Sequence, residues 1–577
     1  MDFMITYIIL RKISDCSLST FYSGVHVDGG ENVPKDGPLI ICANHHNELM
    51  DIATLTATVP HRRQISFWAK ANSFKNPILR FILVSSGAIP VHRNPNNVRD
   101  ASISGTSTPR GSGNDTLFLA TSRALAGLRH RGGLLNSLVG MFPDRVVGVF
   151  PEGTSYTEPR IIQMKEGAAW VALEYSRWMR QSADSDGQPI KIIPVGIAYT
   201  DKTQYLSRVY VHYGEPLVLA GLEDEYHSAV ELGDNQKARA VAAKLTERIA
   251  KELLRLSVNA PNWDVLRSAE MARRILWTDR DVPLKDFATI TKALISLFSS
   301  AVSTIDPELH KRTITSLLAY SGLLHYTNLH HESLSAVIPR SRAHAIGTLF
   351  SHLFKTILHP QFILFLPALV VHIPAYISAN LAARFLATPE LPETIALSKV
   401  IGGGLGTGVG YACATAALVR TLFRLDSAWI GSFRGRVHGS IGTAVLAYVV
   451  GKILARWHRA LIRVNSERAS RLLAAMKVAL GLMGSSISGD GLKPYLRPPA
   501  PPPNPFVRYP SPPAEDSTRV LPARPVPARK LIRPLLSARL EAERAVVEYM
   551  RAADLPQESP WVEIRRRTEF LASRRFA

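Results

Sequence analysis

Cysteine is scarce: Cys16, Cys42 and Cys413 are the only three in a chain of 577 residues. They lie far apart and are odd in number, which argues against a disulfide framework and suits a cytosol-facing protein. Acidic residues are also few: 47 Asp and Glu stand against 68 Lys and Arg, giving a formal net charge of +21 and a pI near 9.9. A chain this basic points to nucleic acid, an anionic membrane surface or an anionic substrate. Nucleic-acid binding requires basic clusters interleaved with aromatics, and these are missing. The basic residues are spread through the chain and thicken toward its C-terminus, so no nucleic-acid partner is expected. Nor is a signal peptide: the first ten residues carry Asp2 and a short apolar run, without a basic leader or a small-residue cleavage site. There is no internal repeat.

Apolar residues are plentiful. They make up 46% of the chain, and the mean hydropathy of +0.04 is high enough that they must be concentrated in segments. Length alone suggests three to four units at roughly 150 residues each. Residues 1–222 alternate short apolar runs (38–43, 64–68, 88–91, 145–150, 191–197 and 209–213) with helical patterns (48–59, 73–85, 117–129 and 167–180). That alternation predicts an α/β domain with a mostly parallel sheet flanked by helices. Residues 94–115 are rich in Ser, Gly, Asn and Thr and read as a flexible insertion in that domain. Residues 223–345 read as helical.

A membrane region is expected over 355–455. Apolar stretches 357–386 and 395–418 are each near or above the ~20 residues that span a bilayer. Lys355 precedes the first; Arg420, Arg424, Arg434 and Arg436 follow the second; the connecting loop has Glu390 and Glu393 and no basic residue. The positive-inside rule then predicts a helical hairpin with both ends in the cytosol. The alternative is a pair of buried helices in a soluble domain. Gly402, Gly406 and Gly410, spaced by four, would let two helices approach closely. Pro360, Pro367 and Pro374 make a straight first helix doubtful. A shorter run, 441–454, reads as a surface or core helix. Residues 498–527 form a Pro-rich linker, and 530–577 a charged, helix-prone and partly disordered tail.

Four constellations in the first domain carry chemistry. In Asn44-His45-His46-Asn47-Glu48-Leu49-Met50-Asp51, His46 and Asp51 are five apart, about 140° around a straight helix. They meet only if His46 lies in a strand-to-helix turn and Asp51 in the helix beyond. There the carboxylate would fix the imidazole so that its other nitrogen acts as a base toward a hydroxyl. Alone, such a pair is common on protein surfaces. The second constellation, Gly87-Ala88-Ile89-Pro90-Val91-His92-Arg93, closes a strand with an arginine whose planar fork suits a phosphate. The third, Val149-Phe150-Pro151-Glu152-Gly153-Thr154-Ser155, is a tight turn. There Glu152 can bind substrate hydroxyls and Gly153 allows close backbone approach, with Arg160 and Lys165 supplying charge for a phosphate. The fourth, Lys191-Ile192-Ile193-Pro194-Val195-Gly196, reads as an edge strand broken by Pro194, beside a lipid-chain groove.

In this order and spacing, over residues 25–217, the four blocks resemble the phospholipid/glycerol acyltransferase family. The His45-His46 doublet and the apolar hairpin that follows are similar to the fungal glycerol-3-phosphate/dihydroxyacetone-phosphate acyltransferases of the endoplasmic reticulum. The lead-in Val27-Asp28-Gly29-Gly30-Glu31-Asn32-Val33-Pro34 also resembles the family's. Thr154-Ser155-Tyr156 departs from the Thr-Arg of many lysophosphatidate acyltransferases, and the 94–115 insertion lies outside the family core. The resemblance implies transfer of an acyl group from acyl-CoA, as co-substrate, to the sn-1 hydroxyl of glycerol 3-phosphate or dihydroxyacetone phosphate. His46 would be the base, Asp51 its orienting carboxylate, and Gly87, Arg93, Glu152, Gly153, Thr154, Arg160 and Lys165 the acceptor-binding set. It implies no further cofactor and no metal. Beyond acyl-CoA and the acceptor, the expected partner is a lipid bilayer, that of the endoplasmic reticulum, with the catalytic domain facing the cytosol. A 1-acylglycerol-3-phosphate acyltransferase, or a catalytically silent membrane scaffold, remains the alternative. Only His46 has four residues between it and Asp51; His45 is a structural neighbour or a second phosphate contact.

Overall fold

The computed structural model describes residues 3–91, 146–181, 189–279, 281–299, 306–388, 391–424, 440–502, 504, 507 and 522–576. They fall into two compact units. The first comprises Met1–Thr157, Ile161–Val258 and Asn504–Pro512, and the second Glu158–Arg160, Asn259–Pro503 and Pro513–Ala577.

In chain order the first unit contains α1 (Phe3–Phe21), β1 (Gly24–Asp28), β2 (Leu39–Ala43), α2 (Leu49–Thr58), β3 (Ile65–Lys70), α3 (Pro77–Ser85), β4 (Ile89–Val91) and β5 (Val146–Val149). It continues with α4 (Gly167–Gln181), β6 (Lys191–Tyr199), β7 (Arg208–Tyr213), α5 (Leu222–Glu231) and α6 (Asn235–Leu256). The seven strands order as β1-β7-β6-β2-β5-β3-β4. All pairs are parallel except β6 with β7. The mostly parallel sheet is therefore present. Leu-Ile-Ile-Cys-Ala of β2 is fully buried at every position, the continuous apolar run of a strand covered on both faces. Ile40 and Cys42 point into a core shared with Val147, Val149, Ile192 and the apolar faces of α4, α5 and α6. Helices α5 and α6 thus belong to this unit, which runs to Val258 rather than ending at 222. Strand β1 was not expected.

Pro194 is not at an edge. Strand β6 lies between β2 and β7, and Pro194 pairs with Cys42 in register. It is tolerated there because it faces a bulge: between the Ile192–Leu217 and Val195–Tyr213 pairs, residues 214–216 lie opposite only 193 and 194, and Gly214 N–H donates to Pro194 C=O at 2.8 Å. The proline is buried.

The second unit is helical. Its helices are α7 (Trp263–Leu276), α8 (Leu284–Ser299), α9 (Pro307–Thr327), α10 (His331–Ser335), α11 (Arg342–Ile357), α12 (Pro360–Phe385), α13 (Thr394–Arg424), α14 (Ser440–Met483), α15 (Ile532–Ala552) and α16 (Trp561–Phe576). The short run at 441–454 is the start of the 44-residue α14. Helix α15 is no loose tail: Ile532, Leu535, Val546 and Tyr549 are each fully buried in this unit's core.

Helices α12 and α13 do form a closely packed hairpin. A Cβ on Gly402, Gly406 or Gly410 would come within 2.5, 2.4 and 2.1 Å of the carbonyl oxygens of Ser378, Pro374 and Val371, so only glycine permits this approach. Pro367 and Pro374 lie inside α12 without ending it. Among the described residues one helix, α12, is long and apolar enough to cross a membrane, with a mean hydropathy of 2.0 over its most apolar 18 residues. The glycines that let α13 pack closely also dilute its apolar character, so a membrane-spanning hairpin is not established.

Candidate active site

Strand β2 delivers the chain to Asn44 at the sheet's C-terminal edge. The buried amide extends the β2–β6 ladder by one residue: Nδ2 donates to Ile197 C=O at 2.9 Å, and Oδ1 accepts from Ile197 N–H at 2.6 Å. Beyond it the chain kinks at Glu48, whose φ of 44° and ψ of −127° are costly for a residue with a Cβ, about 1–3 kcal/mol. The kink brings residues 45–47 close over the first turn of α2, where Asp51 sits.

Asp51 has no exposed surface and gathers four donors. Its Oδ2 accepts from the main-chain N–H of His46 at 2.8 Å and of Asn47 at 2.7 Å, and lies 2.9 Å from His45 Nδ1. Its Oδ1 accepts from the Tyr199 hydroxyl at 2.6 Å. Burial alone would raise this carboxyl's pKa. The hydrogen bond and charge of His45, then the bonds from Tyr199 and Asn47, more than offset it and hold the group below its usual value.

The pairing corrects the expectation from spacing: the imidazole on Asp51 is His45, not His46. His46 contributes its backbone N–H to the carboxylate, while its ring points away. Its Nδ1 lies 3.4 Å from Tyr156 C=O, and the ring meets the Tyr156 ring edge-on at 6.3 Å. Desolvation, reinforced by the Lys202 cation, pushes the His46 ring down to about 4. His45 is held on its other side by Phe150, with ring centroids 4.0 Å apart and planes 16° from parallel. Phe150 in turn stacks on Phe67 at 6.0 Å. Phe67 reaches that place because it pairs with Gly148, where a Cβ would collide with its ring at 2.6 Å.

Glu152 is brought to the pair, in a different role from the one expected. It is fully buried, and its Oε1 accepts the His45 main-chain N–H at 2.6 Å. Burial pushes its carboxyl up to about 8. It anchors the loop instead of facing a substrate hydroxyl. Gly153, at φ 77°, lies under the Lys165 side chain, where a Cβ would meet Lys165 Cε at 2.6 Å. Thr154 is half-buried on the same turn. Gly87, at φ 78°, terminates α3, with Ala88 N–H returning to Leu83 C=O at 2.9 Å; its role is the corner into β4. Arg160 is exposed on the short segment that clusters with the second unit. Arg93, the 94–115 insertion and the helix predicted at 117–129 lie outside the described residues.

Motif reading missed Tyr199 and Lys202. Lys202 Nζ donates to His46 C=O at 2.9 Å and to Thr157 Oγ1 at 2.5 Å, tying the histidine loop to the Glu152 turn. Tyr199 ends the Pro194 strand and Lys202 follows it, and both come to the site because β6 lies beside β2. No local signal marks them.

The site is thus a buried carboxylate that orients one imidazole at the C-terminal edge of a mostly parallel sheet in an α/β domain. Residues 24–198, from the first residue of β1 almost to the end of β6, match the family model described as Acyltransferase. Glycerol-3-phosphate O-acyltransferase 1 of Saccharomyces cerevisiae is 24% identical over 446 residues, covering 67% of this chain and 56% of the relative. Glycerol-3-phosphate O-acyltransferase 2 of the same yeast is 29% identical over 154 residues, 26% of this chain and 19% of the relative. An uncharacterized acyltransferase of Schizosaccharomyces pombe is 24% identical over 315 residues, 44% of each chain. The chain thus spans less than two thirds of each of these relatives. The solved 1-acyl-sn-glycerophosphate (LPA) acyltransferase PlsC of Thermotoga maritima is similar at 19% identity and a TM-score of 0.26, covering 43% of this chain and 79% of that one.

Proposed function

We propose that the chain is an acyl-CoA-dependent O-acyltransferase that esterifies the sn-1 hydroxyl of glycerol 3-phosphate or dihydroxyacetone phosphate, with His45 as its base. The observation that carries this reading is the 2.9 Å contact between His45 Nδ1 and the buried Asp51 carboxylate, inside an acyltransferase domain. Two relatives named as glycerol-3-phosphate O-acyltransferases support the acceptor. With Nδ1–H committed to Asp51, Nε2 takes the acceptor's hydroxyl proton as its oxygen attacks the thioester carbonyl. The C–S bond then breaks, and the imidazolium returns the proton to the departing CoA thiolate. Asp51 stabilises the imidazolium between the two steps. Arg93 binds the acceptor's phosphate, with Lys165, over Gly153, supplying further positive charge. An endoplasmic-reticulum membrane location is part of the proposal; the apolar α12 and the basic residues flanking the hairpin support a membrane position with the acyltransferase domain in the cytosol.

The test is an acyl-CoA assay on membranes carrying wild type or His45→Ala, offered glycerol 3-phosphate, dihydroxyacetone phosphate or lysophosphatidate. Product from either of the first two with wild type, and none with His45→Ala, is expected. Product from lysophosphatidate alone overturns the acceptor. No product from any acceptor returns the scaffold reading, and undiminished turnover by His45→Ala removes the base assignment.

A further inference from the structure

The structure assigns Tyr199 as a positioning residue that sets the proton affinity of the His45–Asp51 pair through the carboxylate oxygen that His45 does not use. The assignment rests on the reading of His45 as the base.

Asp51 is buried, and among the described residues its recorded partners are four hydrogen-bond donors, which divide unequally between its two oxygens. Oδ2 takes both loop N–H groups and the His45 ring, at 2.8, 2.7 and 2.9 Å. Oδ1 receives the Tyr199 hydroxyl at 2.6 Å. The two loop bonds come from the main chain and survive any side-chain change. Among the described residues the Tyr199 hydroxyl is the one side-chain donor besides His45 itself, and so the one that a substitution can tune.

Tyr199 is held for this purpose. It is the last residue of β6, paired with Val209 of β7, and Thr200 N–H closes the strand end on Arg208 C=O at 2.9 Å. Its ring packs at 5.6 Å against that of Tyr22. Tyr22 in turn accepts from Asn47 Nδ2 at 3.1 Å, so the two tyrosines brace the carboxylate and the loop it binds.

The direction of the effect follows from which state each donor favours. A hydroxyl donating to Oδ1 stabilises the pair with Asp51 ionised and His45 neutral. Removing it raises the pH at which the pair takes up a proton, whichever partner holds that proton. Groups facing the carboxylate from every side bear on the same equilibrium: His45 and His46 from the loop, Tyr22 after α1, Glu152 after β5, and Tyr199 and Lys202 from and after β6. All but Tyr199 remain when it is replaced by phenylalanine.

Two readouts test this, one independent of turnover. The first is the pH dependence of kcat and KM in Tyr199→Phe. The second is the pH dependence of His45 carbethoxylation by diethyl pyrocarbonate, which attacks neutral imidazole, followed by peptide mass spectrometry. Tyr199→Phe is expected to lower kcat about ten- to a hundredfold with KM little changed, and to move the acid limb and the modification midpoint up by about one pH unit. Placing 3-fluorotyrosine at 199, a stronger donor, is expected to move the midpoint the other way, which misfolding cannot do. If His45→Ala is inactive but neither change at 199 moves the midpoint, Tyr199 is merely structural and the assignment falls. If the midpoints move as stated while His45→Ala still turns over, the base reading falls and the coupling of Tyr199 to the pair stands.

Discussion

His45 lies flat on Phe150, with ring centroids 4.0 Å apart. One face of the imidazole is thereby covered while its edge is free to meet both Asp51 and a substrate. The stack fixes the ring's plane and the carboxylate fixes its rotation within that plane, so neither alone orients Nε2. Phe150→Leu keeps an apolar neighbour and loses the flat one. A stack of this kind contributes about 0.5–1.5 kcal/mol, so kcat should fall about two- to tenfold with the Asp51 bond intact. Unchanged kcat would mean that Asp51 alone sets the ring.

His45 and His46 should differ sharply as alanines. Asp51 uses the ring of His45 but only the backbone N–H of His46, and alanine keeps that N–H. His45→Ala should cost at least about 10²–10⁴-fold in kcat, the contribution typical of a positioned base, while His46→Ala stays within about tenfold. The reverse order in an acyl-CoA assay would restore the assignment suggested by spacing.

This pair also marks where sequence reading stops. The β2 run of Leu-Ile-Ile-Cys-Ala, the turn after Phe150 and the alternation of strands and helices were legible, because buried parallel strands are apolar along their length. Which histidine meets Asp51 was not. That depends on the left-handed turn at Glu48, and nothing in a glutamate announces positive φ. Pro194 misled for a related reason: a proline is also tolerated inside a sheet where it faces a bulge, and the β6 pairing slips by one residue between Val195–Tyr213 and Ile192–Leu217. Tyr199 and Lys202 reach Asp51 and His46 across the sheet from about 150 residues away, so no local pattern could place them.

Asn44 should be a stability residue with a catalytic consequence. Its side chain satisfies both the N–H and the C=O of Ile197 deep in the sheet. Asn44→Ala leaves both buried groups without a partner, at about 1–3 kcal/mol each. A clear drop in the midpoint of chemical denaturation is expected. Asn44→Asp keeps the acceptor but turns the donor into a second acceptor facing Ile197 C=O, and should not rescue it.

Glu152 predicts a pH-dependent stability. Burial lifts its folded-state pKa to about 8, above the ordinary carboxyl value of 4.5. The folded protein therefore holds this proton more tightly than the unfolded chain does. Stability from that preference is complete below 4.5 and is lost as pH rises toward 8. Glu152→Gln carries no such proton and keeps an amide oxygen to accept the His45 N–H. Relative to wild type, it should gain in thermal midpoint steadily from pH 5 to pH 8, and the gain should level off above that. A difference that stays flat across this range would show that Glu152 is ionised in the fold, and that its contact with the His45 N–H is a charged one.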